Sequence, residues 1–233
     1  KAGRAPEEEE ILRGLSVRTE PLIDFLRDQY LKTYIPAGGS KIKLLSGLPG
    51  SGKTHLANCI AEDGRRQNYL TVSFSAKDVW LHDFREIYLE ILRQSDLEKI
   101  LQGCAEQIIR EMNYDPAEIP VGKSFMDYLS DRQEADALTK NAIRGTLRAK
   151  FTRNPLLDNG FASCCSLLVG GILGHPYLEG VDRELLYAFL HGDKTVKLSQ
   201  IRTLGVSASR VTKYNARHLL RSLAEVVRIS GSQ

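Results

Sequence analysis

Nowhere does this chain string together enough apolar residues to cross a bilayer. The longest such run, CCSLLVGGILG at 164–174, falls well short of the ~20 residues a spanning helix needs. It predicts a buried helix containing glycines instead. Cysteine is scarce, and the four present, Cys59, Cys104, Cys164 and Cys165, form no CxxC pair and no metal-ligand spacing. That argues against a zinc module or a disulfide framework, and fits buried free thiols in a reducing, cytoplasmic setting. The adjacent Cys164 and Cys165 lie in an apolar run, so packing rather than redox chemistry is their expected role. Excess charge is missing too: the net value is +3, too small to argue alone for nucleic acid or a membrane surface. The opening KAGRAPEEEE is polar and acidic, unlike a secretory signal. There is no internal repeat, and no low-complexity tract beyond the glutamate run.

What is present is ordinary for a globular protein. The chain has 233 residues, 42% hydrophobic and 26% charged, enough for one large domain or one domain with a sizeable insertion. Residues 7–33 read as helical, with acids ahead of an apolar periodic stretch. Pro21 opens the second part of this arm, with Leu22, Phe25, Leu26 and Tyr30 at helical spacing. IPAGGS (35–40) is a loop. KIKLLS (41–46) predicts a short strand, Lys53 to about Arg65 a helix, and the alternating YLTVSFSA (69–76) a second strand. From Val79 helical patterns take over. WLHDFREIYLEILRQ places Trp80, Leu81, Phe84, Ile87, Tyr88 and Ile91 on one helical face. Further helices run on to Arg228, broken near Pro116, Pro120, Pro155 and Pro176.

The most informative stretch is KIKLLSGLPGSGKTHLANCI (41–60). Gly47, Gly52, Lys53 and Thr54 satisfy the spacing G-x-x-x-x-G-K-[ST] of a phosphate-binding loop. The whole segment Gly47, Leu48, Pro49, Gly50, Ser51, Gly52, Lys53, Thr54 and His55 is the expected nucleotide site. Glycines at 47, 50 and 52 allow dihedrals and close approach that a Cβ would block, so backbone N–H groups can face phosphates. Lys53 supplies a point charge to the β- and γ-phosphates, and Thr54 a hydroxyl to Mg²⁺. The following helix adds its N-terminal dipole. His55 either approaches the α-phosphate or merely covers surface.

An NTPase of this type also places an acid at the end of a buried strand, after about four apolar residues. No segment qualifies. PLLDN offers only two apolar residues before Asp158 once Pro155 is discounted. Ser, Ala and Lys intervene before Asp78 in VSFSAKD, and Asp24 in PLIDF belongs to a helical pattern.

The stretch from GGSKIKLLSGLPGSGKT to EIYLEILRQ, and LLYAFLHGDKTVKLSQIRTLGVSASRVTKYNARHLLRSLAEVVRISG near the other end, resemble a bacterial P-loop family. These are the BrxD-like ATP-binding proteins of BREX phage-exclusion systems, similar to AAA+/STAND-type ATPases. The likeness covers most of 37–95 and 181–231 and is loose between. The loop departs mildly, reading GLPGSGKT where the family carries an aromatic. The resemblance implies ATP and Mg²⁺ as cofactors, a role in defence against foreign DNA, and DNA contact through a C-terminal module beyond this chain. It also implies that the chain is an N-terminal piece ending before the acidic strand. A homo-oligomer, with an arginine lent by a neighbour, fits the same kinship; AIRGTLRAKFTR supplies Arg144, Arg148, Lys150 and Arg153, which otherwise form a solvated face. By analogy the adenine rests near Ile35–Ser40.

The expected fold is therefore α/β, a P-loop core with a large helical insertion, helical by residue count. Its divisions are a helical arm (1–36), the P-loop core (37–78), the insertion (79–195) and a closing helical segment (196–233). Two other readings stand beside it. LSQIRTLGVSASRVTKYNARHLLRSL (198–223), with Gly205 between two helical patterns and Arg210, Lys213 and Arg217 on the second, has the form of a DNA-binding helix-turn-helix with a recognition helix near 207–217. The alternative there is a helical hairpin packed in the core. A small-molecule kinase would use the same phosphate cradle, though the long leader before the loop and the lack of a basic lid count against it.

Overall fold

The computed structural model describes residues 20–175, 182–207 and 209–232. The earlier part of the expected N-terminal helix and the break at Pro176 lie outside these residues. The chain divides into two compact units, with the boundary between Ser73 and Phe74.

In the first unit, α1 (Glu20–Leu26) runs on as a π-helical stretch, Arg27–Tyr34. Pro21 sits in the first turn, where its missing N–H has no intrahelical partner to lose. A loop and an extended segment lead to α2 (Lys53–Arg66), close to the expected bounds. Both parts of the first helix pack on α2. Arg27 Nη1 lies 3.5 Å from Asp63 Oδ2, and the Tyr69 hydroxyl donates to the Leu31 carbonyl.

The expected α/β core is corrected here: among the described residues there is no strand, and every regular element is helical. The segment KIKLLS shows the physical reason. Its alternation turns the wrong residues outward, leaving Ile42 87% and Leu44 91% exposed, while the Lys43 ammonium lies 4.3 Å above the Tyr30 ring. A strand forms by pairing its N–H and C=O groups with a neighbour. Residues 41–46 make no backbone–backbone hydrogen bond among the described residues. The second expected strand, 69–76, is likewise without a ladder. Its Tyr69 N–H closes the end of α2 on the Gly64 carbonyl at 2.9 Å.

The second unit contains α3 (Phe84–Gln94), α4 (Leu97–Glu111), α5 (Phe125–Asp131), α6 (Ala137–Leu147) with a π-type continuation Arg148–Thr152, α7 (Asn159–Ile172), α8 (Arg183–Leu190), α9 (Leu198–Thr203) and α10 (Ala216–Ile229). Six of these start on a side-chain cap: Asp83, Asp96, Ser124, Asp136, Asp158 and Asp182 each accept an N–H from the first turn. Such caps are typically worth about 1 kcal/mol each. The Asp83 cap also starts α3 later than the periodicity suggests. Trp80 and Leu81 precede it and are exposed, while Tyr88 and Leu92 carry the buried face.

The apolar run at 164–174 forms most of α7, which is the centre of this unit. Phe161, Ala162, Cys164, Cys165, Leu168 and Val169 are buried, as an all-round apolar helix requires. It packs on α4, the Arg148–Thr152 stretch, α8 and α10. Gly160 lets the helix start close to another backbone: a Cβ there would stand 2.5 Å from the Ser207 carbonyl oxygen. Cys104, Cys164 and Cys165 are buried free thiols. Among the described residues no helix is long and apolar enough to cross a membrane.

Candidate functional site

The glycine-rich loop lies wholly in the first unit, just ahead of α2. Ser51 N–H bonds the Leu48 carbonyl at 3.2 Å, making a tight turn across Pro49 and Gly50. Gly50 and Gly52 each adopt φ +81°, the left-handed region that glycine enters at little cost. A Cβ at Gly47 would meet Ser51 Oγ at 2.7 Å. Gly50 and Gly52 are thus needed by the conformation of the loop, and the bare Cα of Gly47 leaves room for the Ser51 hydroxyl.

Gly52 stands at the N-cap of α2 and offers no side chain to the first turn. The first intrahelical bond is Leu56 N–H to Gly52 C=O at 2.9 Å. The preceding N–H groups have no intrahelical carbonyl. They face the loop's side of the helix, at the positive end of its dipole. Lys53 is the first residue of α2 and its ammonium curls back over the loop. Nζ lies 2.9 Å from Gly47 O, 2.8 Å from Leu48 O and 3.2 Å from Ser51 Oγ. Thr54 follows, exposed, and among the described residues its hydroxyl has no hydrogen-bond partner. His55 Nε2 lies 3.7 Å from Cys59 Sγ, so this imidazole leans along the helix. Leu48 is 80% exposed, and residues 47–52 are solvent-facing throughout.

These features fit a phosphate chain in the loop. The donors are main-chain amides and one ammonium, no acid side chain lies among them, and two of the glycine positions leave open space. At Gly50 and Gly52 nothing lies within 4 Å of an added Cβ. The Ile35–Ser40 loop, expected beside the adenine, closes on itself through Gly39 N–H to Tyr34 C=O at 2.9 Å.

Two of the acids considered in the sequence have other work: Asp24 pairs with Arg27 and Asp158 caps α7. Asp78 lies in a turn, its main-chain N–H donating to the Ser75 carbonyl at 2.9 Å. Among the described residues no cluster of three or more His, Cys, Asp and Glu could hold a metal.

Residues 198–223 hold two helices, α9 and α10, but the second begins only at Ala216. The span expected as a recognition helix, 207–217, is therefore mostly non-helical where described. Val206 is buried and Val211 half-buried, whereas Tyr214 is 95% exposed. Arg210 Nη2 donates to the Val196 carbonyl at 3.0 Å, and Lys213 Nζ lies 3.5 Å from Asp83 Oδ2. In the basic stretch near 150, Lys150 pairs with Glu111, while Arg144, Arg148 and Arg153 are exposed.

Sequence reasoning missed the carbonyl clamp on Lys53. Spacing alone shows which residues form the loop, not where a flexible ammonium comes to rest. It also missed a basic cleft in the second unit, whose cations come from separate parts of the chain.

Neither the curated proteins nor the solved structures contain a significant match to this chain. A family profile described as "BREX system ATP-binding protein BrxC/D" matches residues 3–233, which is nearly the whole length. The kinship first seen over 37–95 and 181–231 thus extends across the stretch between them, and the chain belongs to the BREX system ATP-binding protein BrxC/D family.

Proposed function

We propose that this family member holds ATP by its phosphates at Gly47–Thr54, as an ATPase of the AAA+/STAND type acting in defence against foreign DNA. The observation that carries the reading is the placement of Lys53. Its ammonium is clamped over the loop by two carbonyls, next to an uncapped helix start and two glycines in the left-handed region. Main-chain amides there would face the β-phosphate, and Lys53 would bridge towards the γ-phosphate. Thr54 would hold Mg²⁺ through its unpartnered hydroxyl, and the ion would neutralise phosphate charge when bound. His55 borders the site, with its ring Nε2 3.7 Å from Cys59 Sγ. Turnover requires a positioned carboxylate; the Asp24 and Asp158 carboxylates are engaged elsewhere, and Asp78 follows a turn rather than a buried strand. The chain on its own therefore binds nucleotide better than it hydrolyses it.

Calorimetric titration of Mg-ATP into the wild type and Lys53→Ala tests this. A hydrogen bond to a charged group is worth about 1.5–3 kcal/mol, so the variant should lose roughly one to two orders of magnitude in affinity. Equal affinities would overturn the assignment of the loop. Brisk ATP hydrolysis by this chain alone would overturn the statement about the acid.

A further inference from the structure

The second unit contains a half-open cleft of about 310 Å³, lined by Arg85, Phe189, Gly192, Asp193, Lys194, Arg210 and Val211. We propose that this cleft is a second anion site, one that seats a phosphate ester, separate from the glycine-rich loop and not dependent on the reading given to it.

Four observations support the chemistry. First, three cations and one carboxylate meet there, which leaves two positive charges in excess. Second, Arg210 is held in place by its bond to the Val196 carbonyl, at 3.0 Å. Its remaining guanidinium N–H groups keep a fixed direction, which suits a planar donor fork for phosphate oxygens. Third, the neighbouring acids are already engaged. Asp193 accepts from Thr195 N and Oγ1, both at 2.8 Å. Asp83, two residues before Arg85, caps α3 and lies 3.5 Å from Lys213 Nζ. Among the described residues neither Arg85 nor Lys194 is tied to a carboxylate. Fourth, the floor is apolar, formed by Phe189 and Val211, so the cleft can hold an organic body as well as a charge. Its volume lies at the small end of ligand pockets. That suits a mononucleotide-sized ester or one unit of a nucleic-acid strand, since both present the same phosphate chemistry.

The chain that supplies Lys194 and Arg210 is itself basic in sequence. Residues 194–224 contain Lys194, Lys197, Arg202, Arg210, Lys213, Arg217 and Arg221 and not one Asp or Glu. This is a different mode of contact from a recognition helix, because the cleft-lining Arg210 and Val211 belong to non-helical chain.

The test uses the full chain carrying Lys53→Ala, so that the loop does not contribute. Two probes are titrated at about 50 mM salt, AMP and a fluorescein-labelled 20-nucleotide single strand. Arg85→Ala/Lys194→Ala in that background should weaken the bound probe at least tenfold, while Lys99→Ala, on an exposed face of α4, should leave it unchanged. Circular dichroism checks that each variant is folded, and Lys194→Glu alone gives a second readout in the same direction. Binding of AMP through these residues identifies a small ester as the ligand. Binding of the strand alone, with a salt dependence that flattens in the double variant, identifies a polymer. If the parent binds neither probe, or the double variant binds as the parent does, there is no phosphate site in this cleft.

Discussion

Lys53 Nζ lies 2.9 Å from the Gly47 carbonyl oxygen, and it meets Leu48 O and Ser51 Oγ at 2.8 and 3.2 Å. An ammonium has three N–H donors, and here each has an oxygen within reach. A phosphate can therefore bind Lys53 only by replacing one of them. The Ser51 hydroxyl is the longest of the three contacts and the easiest to displace, because rotation about χ1 removes it without moving backbone. The two carbonyls would stay and keep the ammonium over the loop.

The first prediction follows from that competition. Ser51→Ala removes the displaceable acceptor and frees one donor before any nucleotide arrives. Its affinity for Mg-ATP should match or exceed the wild type by up to several-fold, in contrast to the loss expected for Lys53→Ala. Calorimetry on the two variants side by side distinguishes the roles. A loss for Ser51→Ala as large as that for Lys53→Ala would mean that the hydroxyl itself contacts the ligand.

How far the sequence announced this loop depends on the kind of information involved. Gly47, Gly50, Gly52 and Lys53 are local: the loop's shape follows from residues a few positions apart, and the turn, the glycine conformations and the helix start could all be read from their order. The helices of the second unit were legible for the same reason, since 3.6-residue periodicity and Asp or Ser caps act within one or two turns. The two strands were not. KIKLLS has the composition of a strand, but strand formation is a property of a pair, and among the described residues Lys43 finds Tyr30 and not a neighbouring strand. The late start of α10 was hidden too. VSASRVTKY has helix-compatible spacing, yet Arg210 and Lys213 are drawn to Val196 and Asp83, distant in sequence, and Asn215 closes a turn with Thr212 at 2.7 Å.

A second prediction concerns the thiols. Burial pushes the Cys104 and Cys164 thiols up to about 12, and Cys165 is also raised by burial. At pH 8 these three remain protonated as well as inaccessible, and the thiolate is the reactive form. Cys59 is only half-buried on α2. Ellman's reagent should therefore modify Cys59 first in the native protein, with the other three reacting only in denaturant. Cys59→Ser should abolish the native phase. Rapid native reaction of more than one thiol would show that the buried core of the second unit opens on the time scale of the assay.

A third prediction tests the contact that positions α7. Gly160→Ala would put a Cβ 2.5 Å from the Ser207 carbonyl oxygen, and backbone cannot yield as a long side chain would. Overpacking of this kind costs typically 1–3 kcal/mol. The urea midpoint should fall accordingly with the slope unchanged. Gly145→Ala serves as the control, because nothing lies within 4 Å of a Cβ at that helical site. Alanine is favoured over glycine inside a helix, so this variant should be neutral or slightly stabilising.

The last prediction is a dependence on pH. Glu225 is buried on α10. It pairs with Arg228, whose Nη2 and Nε lie 2.8 Å from its two oxygens, and it accepts from Asn154 Nδ2 at 2.8 Å. The Arg228 hydrogen bonds, with help from Asn154, hold its carboxyl below the ordinary glutamate range against the opposing effect of burial. A carboxyl with a lower pKa folded than unfolded binds fewer protons in the native state, so stability rises with pH across that interval. The contribution is complete above the ordinary glutamate value near 4.3 and fades as pH falls through the lower folded value. Melting temperature should therefore drop on acidification below about pH 4.3, and the drop should be smaller in Glu225→Gln, which cannot titrate. Glu225→Gln should also melt lower than the wild type at pH 7, where it leaves Arg228 without its charge partner, and the two curves should converge towards acid pH. Parallel curves at all pH values would show that the Glu225–Arg228 pair does not couple folding to protons.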